Sequence, residues 1–336
     1  MSAIAPVCQL LERHDPARYR GWWRVAPPLE TNLVRAGREA FWSSNEAVGA
    51  AFAACDQRVH IGIDAPEEKG EGALLFWPKS HALGIWWLET LCRWLAPGTP
   101  IEIVGEHQGG VKRVPKVLEA HAMPCERIDN ARRCSLFSSR TVALPESGDG
   151  WSEFEALGLR LASHPGVFGH GKLDAGTEML LERLGEEYAK RAPATALDVG
   201  CGDGVISAWL ARAGSRVSAL DVDHFAVVAT RRSLALNGLQ GEVAAHDMLQ
   251  GVEGRFDAIV SNPPFHQARD IDFGPARRLI EMAPSHLNPG GRLYIVANVF
   301  LPYRAPLEAS FERVVTLVED GRFRVYRADR PRPKRR

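Results

Sequence analysis

The chain has 336 residues, long enough for two domains of roughly 150 residues each, and its 45% hydrophobic content is that of a globular protein. Lys plus Arg and Asp plus Glu balance at 41 each, which excludes a globally basic nucleic-acid binder and confines phosphate contacts to local patches. No run nears the ~18 apolar residues that span a bilayer, and the opening MSAIAPVCQLLERHD carries charges where a secretion signal needs its apolar stretch, so a cytoplasmic protein is expected.

Along the first half, a strand breaks at a proline in LFWPKS (residues 75–80), a helix follows, and LAPGTPIEIVGE (residues 95–106) leads through Pro-Gly into another strand. Basic residues then concentrate from Lys112 to Arg140, through Arg113, Lys116, Arg127, Arg132 and Arg133. The plain reading of that stretch is a solvated basic face, as for the C-terminal run RFRVYRADRPRPKRR; either could contact phosphates. The six cysteines, Cys8, Cys55, Cys92, Cys125, Cys134 and Cys201, form no CxxC pair, so neither a metal site nor a disulfide framework is expected.

The segment VALPESGDGW (residues 142–151) interrupts the apolar pattern with Pro, Ser, Gly and acids and reads as a linker. It divides the chain into domains at 1–146 and 152–329, with a basic tail at 330–336. Beyond it come a helix (TEMLLERLGEEYAKR), a strand (ATALDVG), a glycine loop, a helix (VISAWLARA), a strand (RVSALDV), a helix (HFAVVATRRSLALNG) and a short strand (GEVAAHD). The strand FDAIVSN, a helix through ARRLIEMAPSHL and the strand RLYIVANVF follow. ERVVTLVED and RFRVYRA, joined across Asp320-Gly321, read as a hairpin that closes five parallel strands.

LAPGTPIEIVGE aligns without a gap on LNPGGRLYIVAN (residues 287–298), and LFWPKS falls where VSNPPF (residues 260–265) stands in the second half. The first half is therefore expected to be a degenerate duplicate of the second, with Trp77 in the place of Asn262 and no glycine loop.

ALDVGCGDG (residues 196–204) sets Gly200, Gly202 and Gly204 at a strand-to-helix turn, where glycine lets the backbone approach a ligand and the helix offers free N–H groups. The G-x-G-x-G spacing departs from the dinucleotide fingerprint and suits a ligand with a ribose and an amino-acid tail, whose ammonium Asp198 could meet. Asp221 ends the next strand at the spacing of a ribose-binding carboxylate. Asp223 reads as a helix cap, and Asp247 as either an acceptor for a purine amine or a turn residue. Asp174, Gly176 and Thr177 mark a helix start, where capping accounts for Gly176 and Thr177, and the Asp174 carboxylate is placed to line the same pocket.

Asn262 ends the fourth strand beside that crevice. Pro263 and Pro264 lack N–H donors and stiffen the corner. The Asn amide oxygen and a neighbouring carbonyl can accept both hydrogens of a planar amine, and Phe265 offers a stacking face. Such acceptors free the nitrogen lone pair for attack on an electrophilic methyl.

DVGCGDG, LDVD and SNPPF, in that order, resemble the class I S-adenosylmethionine-dependent methyltransferases that act on amines. NPPF followed by His is similar to the guanine N2-methyltransferases of ribosomal RNA, and GHGKLDAGTEMLL, GGRLYIVANVFLPY, VGEHQGG and DNARRC extend the resemblance to the bacterial small-subunit branch over nearly the whole chain.

The resemblance implies an α/β protein of two tandem Rossmann-like methyltransferase domains. Each has a mostly parallel seven-stranded sheet with a C-terminal antiparallel hairpin, and the N-terminal copy serves RNA binding or folding. It implies S-adenosylmethionine as cofactor, one guanine N2 of 16S rRNA in the 30S subunit as substrate, and a monomer with no metal or membrane partner; the sister activity on 23S rRNA shares the same corner, and a donor-binding or RNA-binding module without catalysis is the alternative of a different class. Asp198, Gly200 and Gly202 would hold the donor's amino-acid end, Asp221 its ribose and Asp247 its adenine, with Asp174, Thr177 and Asn262 along the donor pocket. Asn262 and the Pro263 carbonyl would grip the guanine amine, Phe265 would stack on the base, and His266 reads as either an RNA contact or, more simply, a surface turn residue.

Overall fold

The computed structural model describes residues 4–34, 39–145, 148–263 and 274–333. The chain divides into two compact units, Met1–Gly150 and Trp151–Arg336.

The first unit runs α1 (Pro6–Leu11), β1 (Trp22–Val25), β2 (Ala40–Ser43), α2 (Glu46–Ala53), β3 (Arg58–Ile61), β4 (Gly72–Phe76), α3 (His81–Trp94), β5 (Pro100–Glu106), α4 (Val114–Ala120), β6 (Glu126–Ala131) and β7 (Cys134–Arg140). Its sheet order is β3-β2-β1-β4-β5-β7-β6. Strands β1 to β5 pair in parallel, while β7 runs antiparallel to both β5 and β6.

The second unit opens with a hairpin, β8 (Ser152–Ala156) and β9 (Leu159–Ser163), then α5 (Ala175–Glu187), β10 (Thr195–Val199), α6 (Val205–Arg212), β11 (Arg216–Asp221), α7 (His224–Leu236) and β12 (Glu242–Ala245). It continues through β13 (Phe256–Ser261), α8 (Gly274–Met282), β14 (Leu287–Asn298), α9 (Arg304–Ser310), β15 (Phe311–Glu319) and β16 (Phe323–Pro331). Its sheet order is β12-β11-β10-β13-β14-β16-β15. Numbered from its own first strand, each sheet reads 3-2-1-4-5-7-6, so the duplication expected from the two Pro-Gly strands is borne out by topology.

Both faces of the second sheet are covered, which is why its strands read as continuous apolar runs. Along β10, Ala196 packs with Leu210 and Leu180 on one face, while Leu197 and Val199 pack with Leu279 and Ile280 on the other. The period-two alternation sends Asp198 to the face covered by α6. The strand order reverses between β10 and β13, which pair from Ala196↔Ala258 to Val199↔Ser261, and this switch point sets the glycine loop beside Asn262.

Several boundaries differ from expectation. The helix at ARRLIEMAPSHL stops at Met282 and tightens into a 3-10 turn over Ala283–His286, because Pro284 has no N–H for an α-helical bond. The strand at GEVAAHD ends at Ala245, so Asp247 lies in the turn beyond it. The segment taken as a tail from 330 begins inside β16, which pairs with β15 as far as Pro331, and the Arg332 N–H donates to the Ser310 carbonyl at 2.9 Å.

Candidate active site

The glycine loop is built by close approach. Gly200, Gly202 and Gly204 take φ of 77°, 55° and 82°, in the left-handed region open to glycine. A Cβ on Gly204 would lie 2.8 Å from the Cα of Thr230 on α7, so this glycine also lets two helices meet. Thr230 and Ser233 donate their hydroxyls to the carbonyls of Gly202 (3.2 Å) and Asp203 (2.6 Å), which anchors the loop from behind. At Gly202 a Cβ would meet nothing within 4 Å, and at Gly200 only the Asn262 carbonyl at 4.0 Å. The backbone surface there is bare on the cleft side.

Asn262 follows β13 directly. Its Nδ2 donates to Asp174 Oδ1 at 2.9 Å and to Thr177 Oγ1 at 2.8 Å. Asp174 is the N-cap of α5, and the same Oδ1 accepts the Thr177 N–H at 3.0 Å. The helix thus begins two residues earlier than TEMLL indicated, and the cap is Asp174 rather than Gly176 or Thr177. Asp174, Thr177, Gly200, Gly202, Asp221 and Asn262 line one cleft. Pro263 is buried beside Asn262, while Pro264, Phe265 and His266 lie outside the described residues.

The remaining acids sort by environment. Asp221 Oδ2 accepts the Gly202 N–H at 3.1 Å and its Oδ1 the Asp223 N–H at 3.0 Å, and burial raises its carboxyl above the ordinary range. Asp223 caps α7 by accepting from the Phe225 N–H at 2.9 Å, as expected.

Asp198 is fully buried beneath the loop and is absent from the cleft lining. Its Oδ2 accepts from Ser207 of α6 at 2.6 Å, and its Oδ1 has no partner among the described residues. Burial pushes this carboxyl up to about 7, with the charges of Asp221 and Asp203 adding to the shift. The pleat turns this side chain under the loop, so in this structure it reaches the cleft through the loop rather than lining it. Asp247 is not itself among the residues that line the cleft, although its neighbours His246 and Met248 are, and Arg278 of α8 holds both its oxygens, at 2.7 and 2.8 Å.

Several residues at the site have no counterpart in the sequence expectations. Ser207 supports Asp198, and Asp203, pushed up to about 6 by burial, lines the loop. Phe168, 65% exposed, and Lys172 stand on the cleft rim, on the segment between β9 and α5. An aromatic between two glycines in PGVFGHGK was the available signal. That segment is tethered where Ser163 Oγ contacts His170 Nδ1 at 2.8 Å and accepts the Gly171 N–H at 3.0 Å.

Residues 158–327 match the family described as Methyltransferase small domain, and residues 29–152 match Methyltransferase small domain N-terminal. The chain belongs to the methyltransferase small-domain family. Among relatives of this family, Ribosomal RNA small subunit methyltransferase C of Chromohalobacter salexigens is 52% identical over 99% of this chain and 100% of its own length. The protein of the same name from Sodalis glossinidius is 38% identical over 98% of this chain and 96% of its own. The solved T. thermophilus 16S rRNA N2-guanine methyltransferase, in complex with AdoMet and guanosine, superposes with a TM-score of 0.85 at 26% identity, covering 97% of this chain and 92% of its own. The resemblance carried by DVGCGDG, LDVD and SNPPF is borne out.

The cleft of this methyltransferase small domain fits S-adenosylmethionine. Gly200 and Gly202 leave a bare cradle that a Cβ would fill, and the buried Asp198 Oδ1 behind it is an unspent acceptor. Among the described residues no group of His, Cys, Asp or Glu could hold a metal ion, and no helix is long and apolar enough to cross a membrane.

Proposed function

We propose that the second unit transfers a methyl group from S-adenosylmethionine to the exocyclic N2 amine of one guanine in 16S rRNA, presented on the small ribosomal subunit in the cytoplasm. The observation that carries this reading is the polarity of Asn262: both of its amide hydrogens are engaged by Asp174 and Thr177, so its Oδ1 remains to accept from a substrate amine beside the glycine loop.

When bound, S-adenosylmethionine supplies an electrophilic methyl on a cationic sulfur. The chain supplies position and electrostatics. The Gly200–Gly202 backbone seats the donor's amino-acid end, and the carboxylate of Asp221 meets its ribose. Asp247, steadied by Arg278, keeps a lone pair on each oxygen with which to accept from the adenine amine. Asp198 acts through the loop, as negative charge under the cationic donor. Asn262 Oδ1 takes one N2 hydrogen and the Pro263 carbonyl the other, while Phe265 stacks on the base. Holding both hydrogens draws the nitrogen out of conjugation and aims its lone pair at the methyl. The methylated nitrogen, bound to an electron-poor ring, is acidic enough to release its proton to water without a side-chain base.

The first unit has no glycine loop: between β1 and β2 the described residues hold one 3-10 turn, Thr31–Leu33, where the second unit has α6. We assign it to RNA binding or support of the fold. Replacing Asn262 by Ala tests the central assignment. Turnover is expected to fall by about 100-fold or more, the scale for removing one transition-state hydrogen bond, with donor binding retained. Unchanged turnover would refute it.

A further inference from the structure

We infer that Asp174 and Thr177 are positioning residues for the reaction: together they fix which end of the Asn262 amide faces the guanine amine, and so make the corner an acceptor rather than a donor. The inference rests on the catalytic assignment of Asn262.

An Asn amide is nearly symmetric in shape and opposite in polarity, with an oxygen that accepts and an NH2 that donates. A half-turn about Cβ–Cγ exchanges the two. In this site a flipped amide would aim an N–H at the nitrogen lone pair that must attack the methyl, and would withdraw the acceptor that activates it. The corner therefore works in one orientation only, and something must select it.

Asp174 does so by chemistry. An ionised carboxylate only accepts, so it pairs with Nδ2 at 2.9 Å and would repel Oδ1 in the flipped state. The orientation follows from the partner's chemistry rather than from shape. Thr177, itself only 6% exposed in the first turn of α5, adds a second acceptor at 2.8 Å. The selecting carboxylate is itself fixed, since its Oδ1 also takes the Thr177 N–H at 3.0 Å. Gly176 leaves it room: a Cβ there would lie 3.1 Å from that oxygen and 3.1 Å from the Phe323 ring. The start of α5 thus reaches 85 and 88 positions along the sequence to set a single torsion at the end of β13.

Both residues line the donor cleft, so donor contact is the competing role, and the test separates the two. It is run with the full-length protein on whichever ribosomal subunit the wild type methylates, so that an error in the rRNA assignment is seen separately in the wild type. Thr177→Val should lower kcat about tenfold at saturating donor and RNA, the size of one lost hydrogen bond, while the donor Kd in calorimetry stays within about twofold. Thr177→Ser, which keeps the hydroxyl, should restore kcat to within about threefold of wild type.

A polarity exchange gives the second arm. Asn262→Asp alone sets carboxylate against carboxylate; adding Asp174→Asn recreates a donor–acceptor pair with its sense reversed and frees one oxygen for the amine. The double variant should turn over at least about tenfold faster than Asn262→Asp alone. The inference is overturned if Thr177→Val keeps wild-type kcat, if its loss is matched by weaker donor binding, or if the double variant is no faster than the single one.

Discussion

The Trp77 indole packs on Gly84 of α3 so closely that a Cβ on that glycine would lie 2.5 Å from its ring. Trp77 is 5% exposed and occupies the position that Asn262 holds in the second unit. A bulky apolar side chain has thus replaced the amide and turned that strand end into core. The full-length chain should bind one equivalent of S-adenosylmethionine in calorimetry, and Gly202→Val should abolish that binding. Residual binding in the variant would mean that the first unit keeps a site.

The same contact sets a stability cost. Gly84→Ala forces a methyl against Trp77, and overpacking of this kind costs about 1–3 kcal/mol, to be measured by chemical denaturation. In the second unit Gly204→Ala adds a left-handed backbone penalty to its clash with Thr230. It should destabilise by a comparable amount and weaken the donor as well, whereas Gly84→Ala should leave donor affinity unchanged.

The buried acids of the loop give a pH dependence with a definite sign. Asp198 and Asp203, raised to about 7 and about 6, bind more protons in the folded chain than in the unfolded one, where Asp titrates near 3.9. Their contribution to stability is therefore full below about pH 4 and is lost as pH rises through about 6 to 7. A cationic donor favours the ionised acids, so its affinity should increase between about pH 5.5 and pH 8, with protons released on binding. Calorimetry in two buffers of different ionisation enthalpy reads that release. An affinity that is flat or falling over this window contradicts the account, and Asp198→Asn should flatten much of the slope.

Arg278 reaches from α8, the next described element after β13, to Asp247 with two hydrogen bonds. If the carboxylate so held accepts from the adenine amine, Arg278→Met should raise the donor Kd several-fold, roughly the effect of loosening one charged hydrogen-bond partner. At saturating donor kcat should be preserved. A fall in kcat with donor Kd unchanged would give Arg278 a role at the amine instead.

Much of this was legible in the sequence because it depends on backbone conformation. Gly200, Gly202 and Gly204 at a strand end, and the repeated Pro-Gly strand, have few structural meanings. The five parallel strands and the hairpin at Asp320-Gly321 followed from apolar runs and turn chemistry. What escaped depended on side-chain direction. The identity of Asp198 says nothing of whether it faces the cleft or α6, and only the pleat decides. Asp174 and Thr177 were seen as a helix start, but their contact with Asn262 spans most of the domain and leaves no local pattern. The hairpin of β8 and β9 was hidden because SEFEA alternates with charge and LRLAS is short, and α9 because Pro306 sits in its first turn.

The account stands most directly on which RNA receives the methyl group. Small and large ribosomal subunits lacking the modification, incubated with the full-length protein and labelled S-adenosylmethionine, can be digested to nucleosides and separated. Label is predicted in 16S rRNA of the small subunit, recovered as N2-methylguanosine. Label confined to 23S rRNA, or recovered on any other atom, would contradict it.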